Sequence, residues 1–341
     1  MSGQDHTPAS PLNVVAMGGG TGLSTLLKGL KRHVASGDAA PAGFPVGDLS
    51  AIVTVTDDGG SSGRLRREFN ILPPGDIRNC MVALSEDEAL LSRLFQYRFG
   101  AGSGLEGHSF GNLFLTALTA ITGDFADAVK QSAGILATRG RIFPSTTANV
   151  QLVAQMDDGS RVEGETRITA SHRRIVKLEM APPDAPPLQQ TLDAIAQADL
   201  ITLGPGSLFT SLATNLLVRG IPEAIAKSRA VKVYVCNLMT QANESLGLTA
   251  SDHIQALYKH AGVKLFDYAL LNRAPLSPEL KARYALEGAS QIVVDMEAVE
   301  ALGVTPVLGD YLEEAAGVAR HASDRVVQDL LRLARERRLP S

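Results

Sequence analysis

The chain has 341 residues, 45% hydrophobic and 20% charged, with a formal net charge of −4. That balance is ordinary for a globular protein and argues against a nucleic-acid binder, which would carry a basic surplus or stripe. Its apolar stretches fall short of the ~18 residues a membrane span needs, and its two cysteines, Cys80 and Cys236, lie outside any C-x-x-C spacing, as expected of buried thiols in a reducing compartment.

In chain order, residues 1–12 are polar and proline-containing and lack the charged-then-apolar design of a secretion signal. They read as a disordered leader, and the protein as cytoplasmic. Beyond them, "LNVVAM", "LSAIVTVT", "ADLITLG", "VKVYVCNL", "FDYALLN" and "SQIVVD" are short, β-branched, nearly continuous apolar runs, the pattern of strands buried on both faces of a parallel sheet. Helical patterns separate them at 22–33, 75–98 and 109–138 (each in two pieces), 188–198, 250–261 and 277–287. The alternation predicts a Rossmann-like, doubly wound α/β fold, with a mostly parallel sheet and helices on both faces. Residues 13–337 then form a single nucleotide-binding domain. One segment, 147–180, alternates apolar and polar residues around Asp158-Gly159 and predicts a small antiparallel hairpin insertion. The basic close of the chain, "LLRLARERR", reads as the solvated face of a terminal helix.

The chemistry concentrates at strand-to-helix turns. In "VVAMGGGTGLS", Gly18, Gly19, Gly20 and Gly22 surround Thr21. The spacing completes neither a G-x-G-x-x-G fingerprint, since Leu23 stands where the last glycine belongs, nor a Walker loop. The general mechanism survives: close backbone approach, free N–H groups and a positive dipole end for an anion. After the second strand, "TVTDDGGSSGRLR" supplies Asp57, Asp58, Ser61, Ser62 and Arg64. Carboxylates at a strand's carboxyl end can hold Mg²⁺ or accept from sugar hydroxyls, so Asp57 and Asp58 are the candidate metal ligands. Arg64 can pair with phosphate oxygens.

"PPGDIRNC" places Asp76 at a helix N-cap and Asn79 one turn on; Asp76 fits a simple cap as well as a ligand contact. "GHSFGN" presents His108 and Asn112 at another helix start. "LGPGSLFTS" repeats the strand, glycine turn and helix at Gly204, Gly206 and Ser207, and "CNLMTQ" adds Asn237 at the same sheet edge. Two such turns suit the two ends of one extended ligand. No regularly spaced Cys/His set or nucleophile elbow accompanies them, and no catalytic residue is assigned.

In this order, "GGGTGLS", "TVTDDGGSSGRLR", "PPGDIRNC", "GHSFGNLFL" and "GPGSLFTS" resemble the bacterial gluconeogenesis factor (YvcK-like) family, within the wider CofD-like, 2-phospho-L-lactate transferase-like group. The resemblance runs from about Asn13 to about Arg337. It implies a cytoplasmic protein that binds UDP-sugars such as UDP-N-acetylglucosamine and is associated with gluconeogenic growth, cell shape and cell-wall precursor supply. It further implies that Tyr284, in "LKARYALEG", and Arg320, in "GVARHASD", contact the UDP-sugar; Ala322 departs from the family's Arg-His-Asp. Enzyme relatives transfer a phospholactyl group from a nucleotide diphosphate donor with Mg²⁺, and for them the acidic motif matching Asp57 and Asp58 lies at the metal and acceptor site.

The expected function is therefore regulatory nucleotide-sugar binding without turnover. The alternative is an Mg-dependent phospholactyl or phosphoryl transferase. NAD is a weaker candidate ligand, because no ribose-binding acid follows the glycines at the distance of about 20 residues. Expected partnerships are the nucleotide sugar, cell-wall or metabolic enzymes, and further copies of the chain in a homo-oligomer, with no nucleic acid and no membrane span.

Overall fold

A computed structural model describes residues 10–35, 45–86, 90–171, 173–242 and 244–338; most of the expected leader lies outside them. The chain enters through β1 (Leu12–Gly18), α1 (Gly20–Lys31), β2 (Val46–Val53), α2 (Gly60–Phe69), α3 (Gly75–Leu84), α4 (Leu91–Gln96) and α5 (Phe110–Thr122), and reaches β3 (Arg141–Pro144) after a further helix, Phe125–Ile135. The insertion holds β4 (Gln151–Met156), β5 (Arg161–Glu163), a short helix Glu165–Thr169 and β6 (Ile175–Ala181). The core then resumes with β7 (Leu200–Leu203), β8 (Val231–Val235), β9 (Tyr268–Asn272) and β10 (Thr305–Gly309). A hairpin, β11 (Leu312–Ala315) and β12 (Val318–His321), precedes the terminal helix Ser323–Arg338.

Seven strands form one sheet in the order β3-β2-β1-β7-β8-β9-β10, every pair parallel. The chain starts at the centre, winds outward to β3, then returns to β7 beside β1 and winds the other way, the doubly wound pattern the alternation predicts. Its switch point lies between β1 and β7, where ligands of such sheets bind. Burial explains the strand sequences: β1 reads Leu-Asn-Val-Val-Ala-Met-Gly and is almost wholly buried, since helices cover both faces and no solvated face demands alternation. The insertion is a separate antiparallel sheet, β5-β4-β6, whose β4–β5 hairpin turns at Asp158-Gly159 as expected.

Two expectations need correction. "SQIVVD" is not a core strand. Its backbone is diverted: Ile292 N–H donates to Leu238 O, Ala250 N–H donates to Val293 O, and the Asp295 carboxylate accepts from Ser251 N–H and Oγ. The segment thus holds the start of the helix Ala250–Ala261, and β10 takes the sheet edge. The helical stretches read from the sequence also omit "GSSGRLRREF", which forms α2, because past its glycines and serines it is made of good helix formers. The terminal helix meets the expectation for the basic run: Val326, Val327, Leu330 and Leu331 are buried, while Arg332 pairs with Asp329 and Glu336 at its surface. Both cysteines are buried free thiols, and among the described residues no helix is long and apolar enough to cross a membrane.

Candidate functional site

The carboxyl ends of β1 and β7 open onto a cavity of about 820 Å³, within the range of small-molecule sites. Its floor is backbone. Gly18 ends β1, and its carbonyl accepts from Thr54 N–H (3.0 Å) and Asn215 Nδ2 (3.2 Å), so the turn is tied to both flanking strands' connections. Gly20 opens α1 with φ +61°, and a side chain there would meet nothing within 4 Å; it would project into open space. Gly22 lies one half-turn on and faces the other glycine turn, where an added Cβ would stand 2.3 Å from Pro205 O. The two turns therefore meet backbone to backbone, an approach that only glycine permits. Gly204 directly follows β7, while Gly206 and Ser207 line the cavity, and Gln241 Nε2 donates to Ser207 Oγ at 3.0 Å.

Of the residues singled out in the sequence, Gly19, Gly20, Thr21 and Gly22 line the cavity from one turn. Asp57, Asp76 and Asn79 line it from beside β2, and Gly206, Ser207, Asn237 and Tyr284 from the β7–β8 side. Sequence reasoning missed Glu165 and Thr169 of the insertion helix, Glu244, and His321 on β12, which share the same space. Glu165 carried no signal, since only docking of the insertion brings it here.

The neighbouring carboxylates Asp57 and Asp58 diverge. Asp57 faces the cavity and accepts from Gly59 N–H at 2.9 Å. Asp58 turns outward and accepts from Thr166 N–H at 2.8 Å and Thr166 Oγ1 at 2.6 Å. Among the described residues, no group of three or more His, Cys, Asp or Glu is placed to hold a metal ion.

Ser61, His108 and Asn112 meet away from the cavity lining. Ser61 Oγ lies 2.9 Å from His108 Nδ1 and accepts from Asn112 Nδ2 at 3.1 Å, all buried between α2 and α5. Burial, with Arg64 nearby, holds His108 below the usual imidazole range. Ser62 is likewise buried. Arg64 donates to Glu106 O, and Arg78 clamps Ser109 Oγ and Asn79 Oδ1 (both 2.6 Å). Arg320 is exposed on β12 opposite Glu313, while its neighbours Ala319 and His321 line the cavity. Strand alternation puts Arg320 on the other face. His321 is half-buried, and its Nε2 lies 3.0 Å from Cys236 O; burial lowers its pKa to about 4, so at neutral pH it is uncharged and donates to that carbonyl. Tyr284 Oη accepts from Ala319 N–H at 3.1 Å, tying the helix Pro278–Leu286 to the hairpin.

No lysine or arginine among the described residues lines the cavity. Instead, carboxylates occupy the helix starts around it. Asp76 accepts from Gly20 N–H at the head of α1, and burial, reinforced by Asp57, raises its pKa to about 6. Glu244 accepts from Phe209 N–H (3.1 Å) and Thr210 Oγ1 (2.7 Å) at the turn following Ser207, and burial raises it too. Burial and the charges of Asp57 and Asp76 push Glu165 well up. Backbone donors, amides, an aromatic ring and carboxylates thus share one hollow.

A family model described as 2-phospho-L-lactate transferase CofD matches residues 14–312. The chain belongs to the CofD family. Among curated relatives, a protein of Halalkalibacterium halodurans named gluconeogenesis factor is 48% identical over 319 residues, covering 94% of this chain and 95% of its own length. The gluconeogenesis factor of Bacillus subtilis is 45% identical over 323 residues, covering 95% and 98%. A crystal structure of a Bacillus halodurans protein superposes with a TM-score of 0.89 at 48% identity, over 94% of this chain and all of that one. Within the CofD family, this chain is thus similar to members named for gluconeogenesis, and the α/β architecture is theirs.

Proposed function

We propose that the cavity binds a nucleotide sugar of the UDP-N-acetylglucosamine type, and that the protein is a regulatory binder linking carbon metabolism to cell-wall precursor supply and cell shape. The observation that carries this reading is the meeting of two glycine turns at the sheet's switch point. They give an extended diphosphate N–H donors and close approach along one floor. Tyr284 supplies a ring for a base or sugar. Isothermal titration with UDP-N-acetylglucosamine, UDP and NAD tests the reading; it expects the UDP-sugar to bind, and no heat with any UDP compound would overturn it.

One observation favours a second reading, Mg-dependent phospholactyl or phosphoryl transfer. Among the described residues, carboxylates dominate the charged lining while lysine and arginine are missing from it, so a diphosphate there gains from a divalent cation. Mg²⁺ is held by one or two carboxylates plus substrate phosphates, for which Asp57 is the available group. The same titrations with and without Mg²⁺, followed by mass spectrometry for product, separate the two readings.

A further inference from the structure

We propose that Asp58 is a positioning residue: it latches the insertion helix Glu165–Thr169 over the cavity rather than touching the ligand or a metal. The Thr166 contacts given above spend one carboxylate oxygen, Oδ1, on two donors from a residue 108 positions away in the chain. The other oxygen lies against the insertion as well, since a side chain at Gly164 would begin 2.5 Å from Asp58 Oδ2. A carboxylate at the first turn of this helix also meets free N–H groups. The helix so held brings Glu165 and Thr169 to the lining, and Thr56 Oγ1 lies 3.4 Å from Glu165 Oε2.

The rest of the insertion is fastened elsewhere. Arg66 Nη2 donates to Asn149 Oδ1 (2.7 Å) and to Val150 O at one end. At the other, Leu178 N–H donates to His260 Nε2 (2.9 Å) and Lys259 Nζ to Val176 O (2.8 Å). Those ties hold the sheet at β4 and β6, whereas Asp58 ties the side of the insertion that lines the cavity, beside buried Ile168 and the Thr56–Glu165 contact. Adjacent acids thus divide two tasks: Asp57 faces the ligand, and Asp58 fixes the wall that encloses it. The effect on affinity rests on the nucleotide-sugar reading of the cavity; the latch itself does not.

The test uses the full chain and four variants, Asp58→Ala, Asp58→Asn, Thr166→Val and the Asp58→Ala/Thr166→Val double. Hydrogen–deuterium exchange of the Glu165–Thr169 amides is read alongside titration with UDP-N-acetylglucosamine. A latch predicts faster exchange there in Asp58→Ala and, to a lesser degree, in Thr166→Val. It predicts roughly tenfold weaker binding in Asp58→Ala, as for about 1.4 kcal/mol, with the double variant no worse than Asp58→Ala because both changes break one contact. Asp58→Asn, which keeps an acceptor oxygen but is a poor metal ligand, should retain most of the affinity. Unchanged exchange in Asp58→Ala would overturn the proposal. So would weakening in Asp58→Asn equal to that in Asp58→Ala, with Thr166→Val silent, the pattern of a ligand or metal contact. If the wild type fails to bind the UDP-sugar, the functional reading falls, and exchange alone still decides the latch.

Discussion

The floor of the cavity and its walls are built on different principles. The floor is backbone, two glycine turns pressed together at the centre of the sheet, and its geometry is dictated by what cannot fit there. The walls are side chains borrowed from distant segments: Glu165 from the insertion, Tyr284 from a late helix, His321 from the hairpin. A backbone floor can hold only something that all its ligands share, such as phosphate, whereas side-chain walls can change partner without disturbing the sheet. The contrast teaches that substitutions in the floor should damage folding or all binding together, and those in the walls should act selectively.

The sharpest break is Gly22→Ala. Its new methyl would stand 2.3 Å from Pro205 O, backbone on both sides, so neither can yield without parting the turns. We expect a loss of about 3 kcal/mol, visible as a melting temperature lower by several degrees. Gly20→Ala separates space from conformation: nothing obstructs the methyl, but the φ of +61° costs an alanine about 1–2 kcal/mol. Its melting temperature should fall less than that of Gly22→Ala, while UDP-sugar affinity measured by titration falls more than tenfold, about 1.4 kcal/mol, because the methyl enters the cavity. Equal melting temperatures for the two variants would erase the distinction between packing and approach.

Next is Asp76, a lining side chain beside the glycine turn. Its pKa, raised from 3.8 to about 6, means the folded state holds its proton more tightly than the unfolded chain. The associated stability is complete below pH 3.8 and is lost as pH rises through about 6. Asp76→Asn should therefore flatten the decline of stability across that window in denaturant titrations. A residual slope of the same sign remains from Glu165, which is raised in the same direction. The smallest effect belongs to a wall residue that faces away. Arg320→Ala should change UDP-sugar affinity by less than about 0.5 kcal/mol, whereas His321→Ala, which removes a lining side chain and its bond to Cys236 O, should weaken it measurably. A large loss in Arg320→Ala alone would mean that the hairpin turns its other face inward when ligand binds.

This division also governs what the sequence reveals. The strands β1, β2, β7, β8 and β9 are legible as apolar runs because burial on both faces leaves composition as the signal. Both glycine turns are legible because close approach at Gly22 and a positive φ at Gly20 and Gly204 favour glycine. The fate of "SQIVVD" is not, since a short apolar segment serves equally as a strand or as a strap over a helix start, and hydrogen bonds to Leu238 and Ala250 decide. Asp57 and Asp58 look equivalent in the chain, and only the docking of Thr166 sets them apart. The motif Arg320-His321 lies on a strand whose Ala319 and His321 line the cavity while Arg320 faces away, a difference that alternation gives only once the hairpin register is known.

The terminal helix has a consequence for how the chain becomes whole. It packs on the back of α1, where a side chain at Gly29 would come 2.9 Å from Val327 Cγ2, and Arg338 pairs with Asp199 beside the start of β7. The helix that presents the glycine turn is thus clamped from behind by residues 323–338, which emerge after every residue of the glycine turns. A nascent chain stopped short of them can already contain every residue of the floor, yet leaves the buried face of α1 open to solvent. Arrival of residues 323–338, rather than appearance of the motif, is then the moment at which the turn acquires its fixed aim.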